Sequence, residues 1–371
     1  VLKLGGGPAR IEKQHAAGKL TARERLELLF DPGSFQEYNI FMKHRCHDFG
    51  MEKISTPAEG VVTGYGLVNG RGVFAFAHDF TVLGGAMGEM QGMKVKRMQE
   101  LALDAGLPFV GLNDSGGARI QEGPSTSYGN IFYNNVMASG VIPQISAIMG
   151  PCAGGTVYSP ALTDFILSVN GTSRSFITGP AVIKNVTGEI VDAETLGGAK
   201  THNTLSGVSH FFCQDDADCI YKIKRLLSFF PANCRELPPV YACNDDPNRR
   251  CERLNTLVPE SLKKAYNIKE IIREIADEHD FLEVQELYAT NIVIGFIRLN
   301  GKSVGVVANQ PSMLAGCIEI NASDKAARFI RTCDCFNIPL LSIVDVPGYL
   351  PGIKQELGGI IRHGAKMLYA W

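Results

Sequence analysis

The sequence predicts an α/β protein built of two duplicated domains, and three observations carry that reading. Strand-like apolar runs alternate with a long helical pattern. The same strand–strand–helix–strand unit returns 231 residues later. Glycine makes up 40 of 371 residues, above the ~7% of average usage, and gathers in doublets beside the strand-like runs instead of in linker tracts.

The elements follow in order. The first thirty residues read as helical: Thr21-Ala-Arg-Glu24 fits a capping box, in which the hydroxyl and carboxylate satisfy each other's orphan backbone donors. Leu26, Leu28, Leu29 and Phe30 supply its apolar side, and Asp31-Pro-Gly-Ser34 stops it. Two β-rich runs, Val61–Val68 and Val73–Ala77, meet across Asn69-Gly70, a strong hairpin signal. Residues 86–105 place Met87, Met90, Met98 and Leu101 near helical spacing, with Gly106 and Pro108 ending the helix. Phe109–Leu112 is a short buried strand that delivers the chain to Asp114-Ser-Gly-Gly-Ala-Arg119.

Sliding residues 61–117 onto 292–348 without a gap leaves 13 of 57 positions identical. Gly64/Gly295, Asn69-Gly70/Asn300-Gly301, Lys94/Lys325, Pro108/Pro339, Asp114/Asp345 and Gly117/Gly348 are among them. A period this long indicates two homologous domains, whereas solenoids repeat every 20–50 residues. Residues 238–255, rich in Pro, Asn, Asp and Arg, form the expected linker between a domain at 1–237 and another at 256–371.

Composition excludes several classes. Thirty-six basic and 38 acidic residues leave a net charge of −2, so no basic excess exists to track nucleic acid. An apolar content of 45% excludes disorder. No run approaches the ~18 apolar residues of a membrane span. The ten cysteines are scattered, which reads as reduced thiols. Cys333 and Cys335 lack a second Cys/His pair at zinc spacing, so no metal site is expected.

The chemistry is expected in two loops. Ile145–Met149 is an apolar strand entering Gly150-Pro-Cys-Ala-Gly-Gly155, with a helix beginning near Thr156. Backbone amides at such a turn are unpaired donors aligned with the helix dipole, suited to an oxygen that becomes anionic. The Gly116-Gly117-Ala118 loop is a second turn of the same kind. Neither a dinucleotide fingerprint, a phosphate-binding P-loop nor a nucleophile elbow occurs, and His78, His202, His210 and His363 are dispersed.

The segments KLTARERLELLFDPGSF, NDSGGARIQEG, GVIPQISAIMGPCAGG, FITGPAVIKNVTGE, NQPSMLAGCIEI and FNIPLLSIVDVPGYLPG closely resemble the carboxyltransferase (β) subunits of propionyl-CoA carboxylases. The likeness covers essentially the whole chain. It implies two crotonase-like domains of ββαβ spiral type, the second incomplete at residue 371, and a homo-hexamer whose sites lie between the N-domain of one subunit and the C-domain of another. It also implies an ATP-dependent holoenzyme in which biotin is carried by an α subunit with biotin carboxylase. The carboxyl of carboxybiotin passes to the α-carbon of propionyl-CoA to give methylmalonyl-CoA.

By the resemblance, Gly154 and Gly155 form the catalytic oxyanion pair, while Gly116, Gly117, Ala118 and Gly348 line the substrate pocket. Met93-Lys94-Val95 is similar to a biotinylation motif, but Lys94 falls in a predicted helix, so this chain is expected to receive biotin and not to carry it. A methylmalonyl-CoA decarboxylase or transcarboxylase subunit is the alternative within the fold. A crotonase-type hydratase or isomerase is a distant one, because residues 156–164 offer no glutamate acid–base. The likeness to eukaryotic β subunits points to the mitochondrial matrix, with bacterial cytoplasm as the alternative. The offset of 231 places a second small-residue turn near position 386, so the natural chain is expected to run roughly a hundred residues further.

Overall fold

The duplicated unit is present in both halves at the offset read from the sequence. The computed structural model describes residues 2–123, 127–261 and 264–371, and packing divides the chain into units Val1–Arg225 and Leu226–Trp371. This division falls before the expected domain end at 237, because Phe229 stacks on Phe296 of the second unit and Phe230 meets it edge to face. The expected linker, 238–255, is almost wholly without regular structure.

The first unit is an eight-stranded sheet. Strands β1 (Gln36–Tyr38), β2 (Val61–Val68), β3 (Arg71–His78), β4 (Phe109–Ser115), β5 (Gln144–Ala153), β6 (Phe165–Val169), with β7 (Arg174–Phe176) set aside, and β8 (Phe211–Cys213) define it. The order is β1-β2-β3-β4-β5-β6-β8, and β7 pairs the last three residues of β5. β1, β2 and β3 are antiparallel neighbours, whereas β3 onward is parallel, so the carboxyl ends of β3, β4, β5 and β6 lie along one edge of the sheet. Crevices at such an edge are where open α/β sheets bind ligands.

Helices α1 (Pro8–Ala16) and α2 (Ala22–Leu29) precede the sheet. The Thr21/Glu24 capping box closes as predicted, Thr21 N–H donating to Glu24 Oε2 at 2.7 Å. Helix α3 (Glu89–Ala105) buries Val95, Met98 and Ala102 against Phe74, Phe76 and Phe109 of the sheet. Burying side chains of this size contributes roughly 1.5–3 kcal/mol each.

In the second unit β9 (Leu282–Val284), β10 (Ile292–Leu299), β11 (Lys302–Asn309) and β12 (Leu340–Ile343) form a four-stranded sheet in the order β12-β11-β10-β9. Each of β10, β11, the helix Ile320–Cys335 and β12 begins 231 residues after β2, β3, α3 and β4. Asn69 and Asn300 both adopt positive φ, 50° and 51°. Asp31 and Asp277 each accept from both amides of the following Asn-Gly turn.

The repeated lysines explain their own conservation between the halves. Lys94 Nζ donates to Ala58 O and Val61 O, at 2.7 and 2.6 Å, and Lys325 Nζ to Gln285, Tyr288 and Ile292 carbonyls at 2.7–2.9 Å. Lys94 is completely buried in α3, which is no place for a modified lysine on an exposed hairpin. Cys333 is buried against Gly305 while Cys335 is exposed, so the two thiols face different surroundings.

Candidate active site

The two glycine turns stand at the carboxyl ends of adjoining parallel strands. β4 and β5 pair through Phe109–Asn113, and the register shifts before Ser115 meets Cys152. Beyond that irregularity the chain turns at Gly116-Gly117 on one strand and Gly154-Gly155 on the other. A Cβ on Gly117 would lie 3.3 Å from Ala153 O, so the two turns approach within van der Waals distance.

Hydrogen bonding selects which amides are available. Gly116 N–H donates to Gly84 O at 2.9 Å, Gly117 N–H to Ser115 Oγ at 3.2 Å, and Gly154 N–H to Phe176 O at 3.3 Å. The N–H groups of Ala118 and Gly155 have no acceptor among the described residues. Ala118 owes this to a parallel bridge: Met87 N–H donates to Gly117 O at 2.8 Å and Arg119 N–H to Met87 O at 2.9 Å, which turns the intervening Ala118 N–H the other way. Gly155 owes it to its place as first residue of helix α5 (Gly155–Ala161), where no intrahelical acceptor exists.

The two residues of the expected oxyanion pair differ. Gly155 has the unbonded N–H, while Gly154 has the unusual backbone: its φ of 61° and ψ of −123° suit glycine alone, and no atom of the described residues lies within 4 Å of where its Cβ would be. A Cβ on Gly155 would meet the Tyr128 ring at 2.9 Å. The helix starts one residue earlier than expected, at Gly155 instead of Thr156.

Beneath the turns lies a buried charge network that sequence reasoning missed. Asp114, wholly buried, accepts from Lys19 Nζ at 2.9 Å, Arg25 Nη1 at 2.9 Å and Gln14 Nε2 at 3.0 Å. Arg25 also donates to Asp216 at 2.7 Å and to Met149 O at 3.2 Å. A Cβ on Gly150 would fall 1.9 Å from Asp114 Oδ1, so only glycine lets β5 pass this carboxylate. Cys152, buried between the strand ends, has its thiol pushed up to about 12 by burial and then by Asp114.

A cavity of about 550 Å³ adjoins the turns through Gly84 and Pro151. Arg10, Lys13, Lys19 and Arg174 line it, and among the described residues no carboxylate does. Such a setting suits a polyanionic ligand. These cations sit on α1, on the stretch before α2 and on β7, too far apart in sequence to form a visible motif.

Gly348 occupies in the second unit the position of Gly117 in the first. Ile318 N–H donates to its carbonyl at 3.1 Å and Leu350 N–H to Ile318 O at 2.8 Å, repeating the Met87 bridge. Its φ is 147°, and nothing lies within 4 Å of a Cβ there. Of the histidines, His210 Nδ1 accepts from Ile166 N–H at 2.8 Å as a structural lock. Both ring nitrogens of buried His78 lack a hydrogen-bond partner among the described residues. No helix among the described residues is long and apolar enough to cross a membrane.

Known proteins share this sequence and fold over nearly the whole chain. Residues 13–371 match the family described as "Carboxyl transferase domain". The chain is 59% identical over 372 residues to methylmalonyl-CoA decarboxylase subunit alpha of Propionigenium modestum, covering 100% of this chain and 72% of that one. It is 54% identical over 372 residues to the mitochondrial propionyl-CoA carboxylase beta chain of Homo sapiens, covering 99% and 69%. A crystal structure of transcarboxylase 12S, described as a hexamer with hydrolysed methylmalonyl-coenzyme A bound, superposes with a TM-score of 0.97 at 55% identity, covering 100% of this chain and 72% of that one.

Proposed function

We propose, from the premise that this chain belongs to the carboxyl transferase domain family, that it moves a carboxyl group from carboxybiotin to the α-carbon of propionyl-CoA. The observation that carries the reading is the pair of free amides, Ala118 and Gly155, at the ends of adjoining parallel strands beside a cation-lined cavity. The open space over Gly154 leaves room for a substrate group at the turn.

Carboxybiotin, brought by a biotin-carrying partner subunit, supplies the carboxyl group and then the base. The chain's own part is electrostatic. Ala118 and Gly155 N–H donate to the thioester oxygen as it becomes anionic, each preorganised donor contributing roughly 3–4 kcal/mol. Arg10, Lys13 and Arg174 hold the phosphates of CoA. Gly116 and Gly117 fit the substrate pocket through their tight turn, and Gly348 marks the matching position in the second unit.

A hydratase or isomerase reading meets an obstacle here. The buried carboxylates around the Ala118 loop are all engaged, Glu59 and Glu122 with Arg119 and Asp114 with Lys19 and Arg25, which leaves none of them free as acid or base. A second reading in the same chemistry has support from the 59% identity to a methylmalonyl-CoA decarboxylase subunit: the same site run in reverse, with direction set by the partner subunits. The family relationships support a hexamer working with a biotin-carboxylase and biotin-carrier α subunit in an ATP-dependent holoenzyme. They fit both the mitochondrial matrix and bacterial cytoplasm.

The test is transfer itself. The purified full-length subunit, given methylmalonyl-CoA and free biotin, should release propionyl-CoA only when biotin is present. Hydration of an enoyl-CoA without any biotin-dependent transfer would overturn the reading.

A further inference from the structure

Glu59, Arg119 and Glu122 form a buried ion cluster against the Ala118 loop. Arg119 Nη1 donates to Glu59 Oε1 at 2.5 Å and Glu122 Oε1 at 2.6 Å, and Nη2 to Ala86 O at 3.0 Å. Glu59 is fully buried, and Arg119 and Glu122 side chains are 2% and 7% exposed. Each carboxylate is held from its other side. Thr56 Oγ1 donates to Glu59 Oε2 at 2.7 Å, and Glu89 N–H, at the start of α3, donates to Glu122 Oε2 at 2.7 Å.

Glu59 reaches Arg119 from an unfavourable backbone. Ala58 and Glu59 both have left-handed φ, 50° and 58°, which non-glycine residues seldom adopt. Lys94 and Gln91 hold that turn by its carbonyls. An outlier kept in place by its surroundings is a pointer to function.

The second repeat supplies the control. There the lysine persists as Lys325, Ala289 again has positive φ, and the Ile318–Leu350 bridge copies that of Met87 and Arg119. Yet Thr290, Leu350 and Ile353 stand where Glu59, Arg119 and Glu122 stand in the first. The lysine-held turn and the bridge are thus built without the ion cluster. What the fold needs is repeated, and the cluster is not.

We infer that Glu59, Arg119 and Glu122 are positioning residues. Arg119, gripped by two carboxylates and by Ala86 O, fixes the loop on the far side of Met87 so that Ala118 N–H meets the thioester oxygen. The inference rests on the proposed carboxyl transfer at this site. None of the three touches substrate.

The experiment gives the first repeat the second repeat's residues: Glu59→Thr, Arg119→Leu and Glu122→Ile together, in the full-length subunit, with Glu59→Gln as a milder companion. Biotin-dependent transfer from methylmalonyl-CoA, unfolding midpoint and far-UV circular dichroism are read on each. The triple variant should fold, keep KM for acyl-CoA within about threefold and lose about a hundredfold in kcat, the effect of removing one oxyanion donor. Glu59→Gln should lose about tenfold in kcat, again with KM little changed, a split that a general loosening of the fold does not produce. Wild-type kcat in either folded variant would overturn the inference. So would failure of the triple variant to fold, which makes the cluster a folding device. Absence of transfer in the unmodified subunit would instead sink the carboxyltransfer reading.

Discussion

Replacing Gly154 with alanine separates the chemistry of the α5 turn from its folding. The residue sits at φ 61° and ψ −123°, a conformation costing a non-glycine residue about 1–3 kcal/mol. No atom of the described residues lies within 4 Å of the new methyl group, so the folding penalty there is backbone strain. A domain with ~5–15 kcal/mol of stability tolerates it. Any relaxation of that strain rotates the peptide carrying Gly155 N–H away from the reacting oxygen, and the methyl occupies space over the turn. Loss of one oxyanion donor costs about 2.7–4 kcal/mol, or a hundredfold to a thousandfold in kcat. Gly70→Ala is the control: φ is +76° with no described atom within 4 Å, on the hairpin turn between β2 and β3, so it carries positive-φ strain and no rate effect. Valine at Gly155 is less informative, because the Tyr128 ring 2.9 Å away would have to move. The assay is biotin-dependent release of propionyl-CoA from methylmalonyl-CoA, alongside urea unfolding. Gly154→Ala retaining more than a tenth of wild-type kcat/KM, a loss below about 1.4 kcal/mol, would refute the oxyanion assignment.

Three further outcomes are expected. Arg25→Met leaves Asp216 without its guanidinium partner and strips one cation from Asp114, so urea unfolding should show a loss of about 3–5 kcal/mol; a loss under 1 kcal/mol would contradict the network's role. Burial, supported by the charge of Arg25, lowers the His78 pKa to about 4 from an ordinary 6.5. The unfolded chain then binds more protons between those values, so stability falls as pH drops from 6.5 to about 4, by about 3 kcal/mol from this group; His78→Leu should flatten that part of the profile, and an unchanged slope would contradict it. Arg10→Ala combined with Lys13→Ala should raise KM for propionyl-CoA about tenfold or more, as expected for lost contacts to charged phosphate, and leave KM for the phosphate-free pantetheine thioester unchanged; equal effects on both substrates would remove CoA phosphate from the cavity.

The sequence shows the repeat, the hairpin turns and the two glycine loops because each is local or exactly periodic along the chain. The offset of 231 is reproduced by β2, β3 and β4 with β10, β11 and β12, and Asn69-Gly70 needed only its own backbone preference to be read. The amide assignment was not legible, since it depends on which N–H groups are already bonded. Gly154 and Gly155 are adjacent in sequence, yet Phe176 O engages only the first. The buried charge network escaped for a similar reason. Asp114 meets Lys19 and Arg25 from 95 and 89 residues away, and no spacing rule connects them. One signal was available and unread: Arg119 and Glu122 differ from Leu350 and Ile353 at matched positions of the repeat, and such differences mark what one half does and the other does not.

The central claim, that Ala118 and Gly155 amides polarise the thioester oxygen, is tested most directly by isotope-edited infrared difference spectroscopy of propionyl-CoA labelled with ¹³C at the thioester carbonyl. Bound to the full-length subunit, the carbonyl band should shift to lower frequency than in water, and the shift should shrink in Gly154→Ala. A band at its solution frequency in the bound complex, or one that is indifferent to Gly154→Ala, would contradict the account.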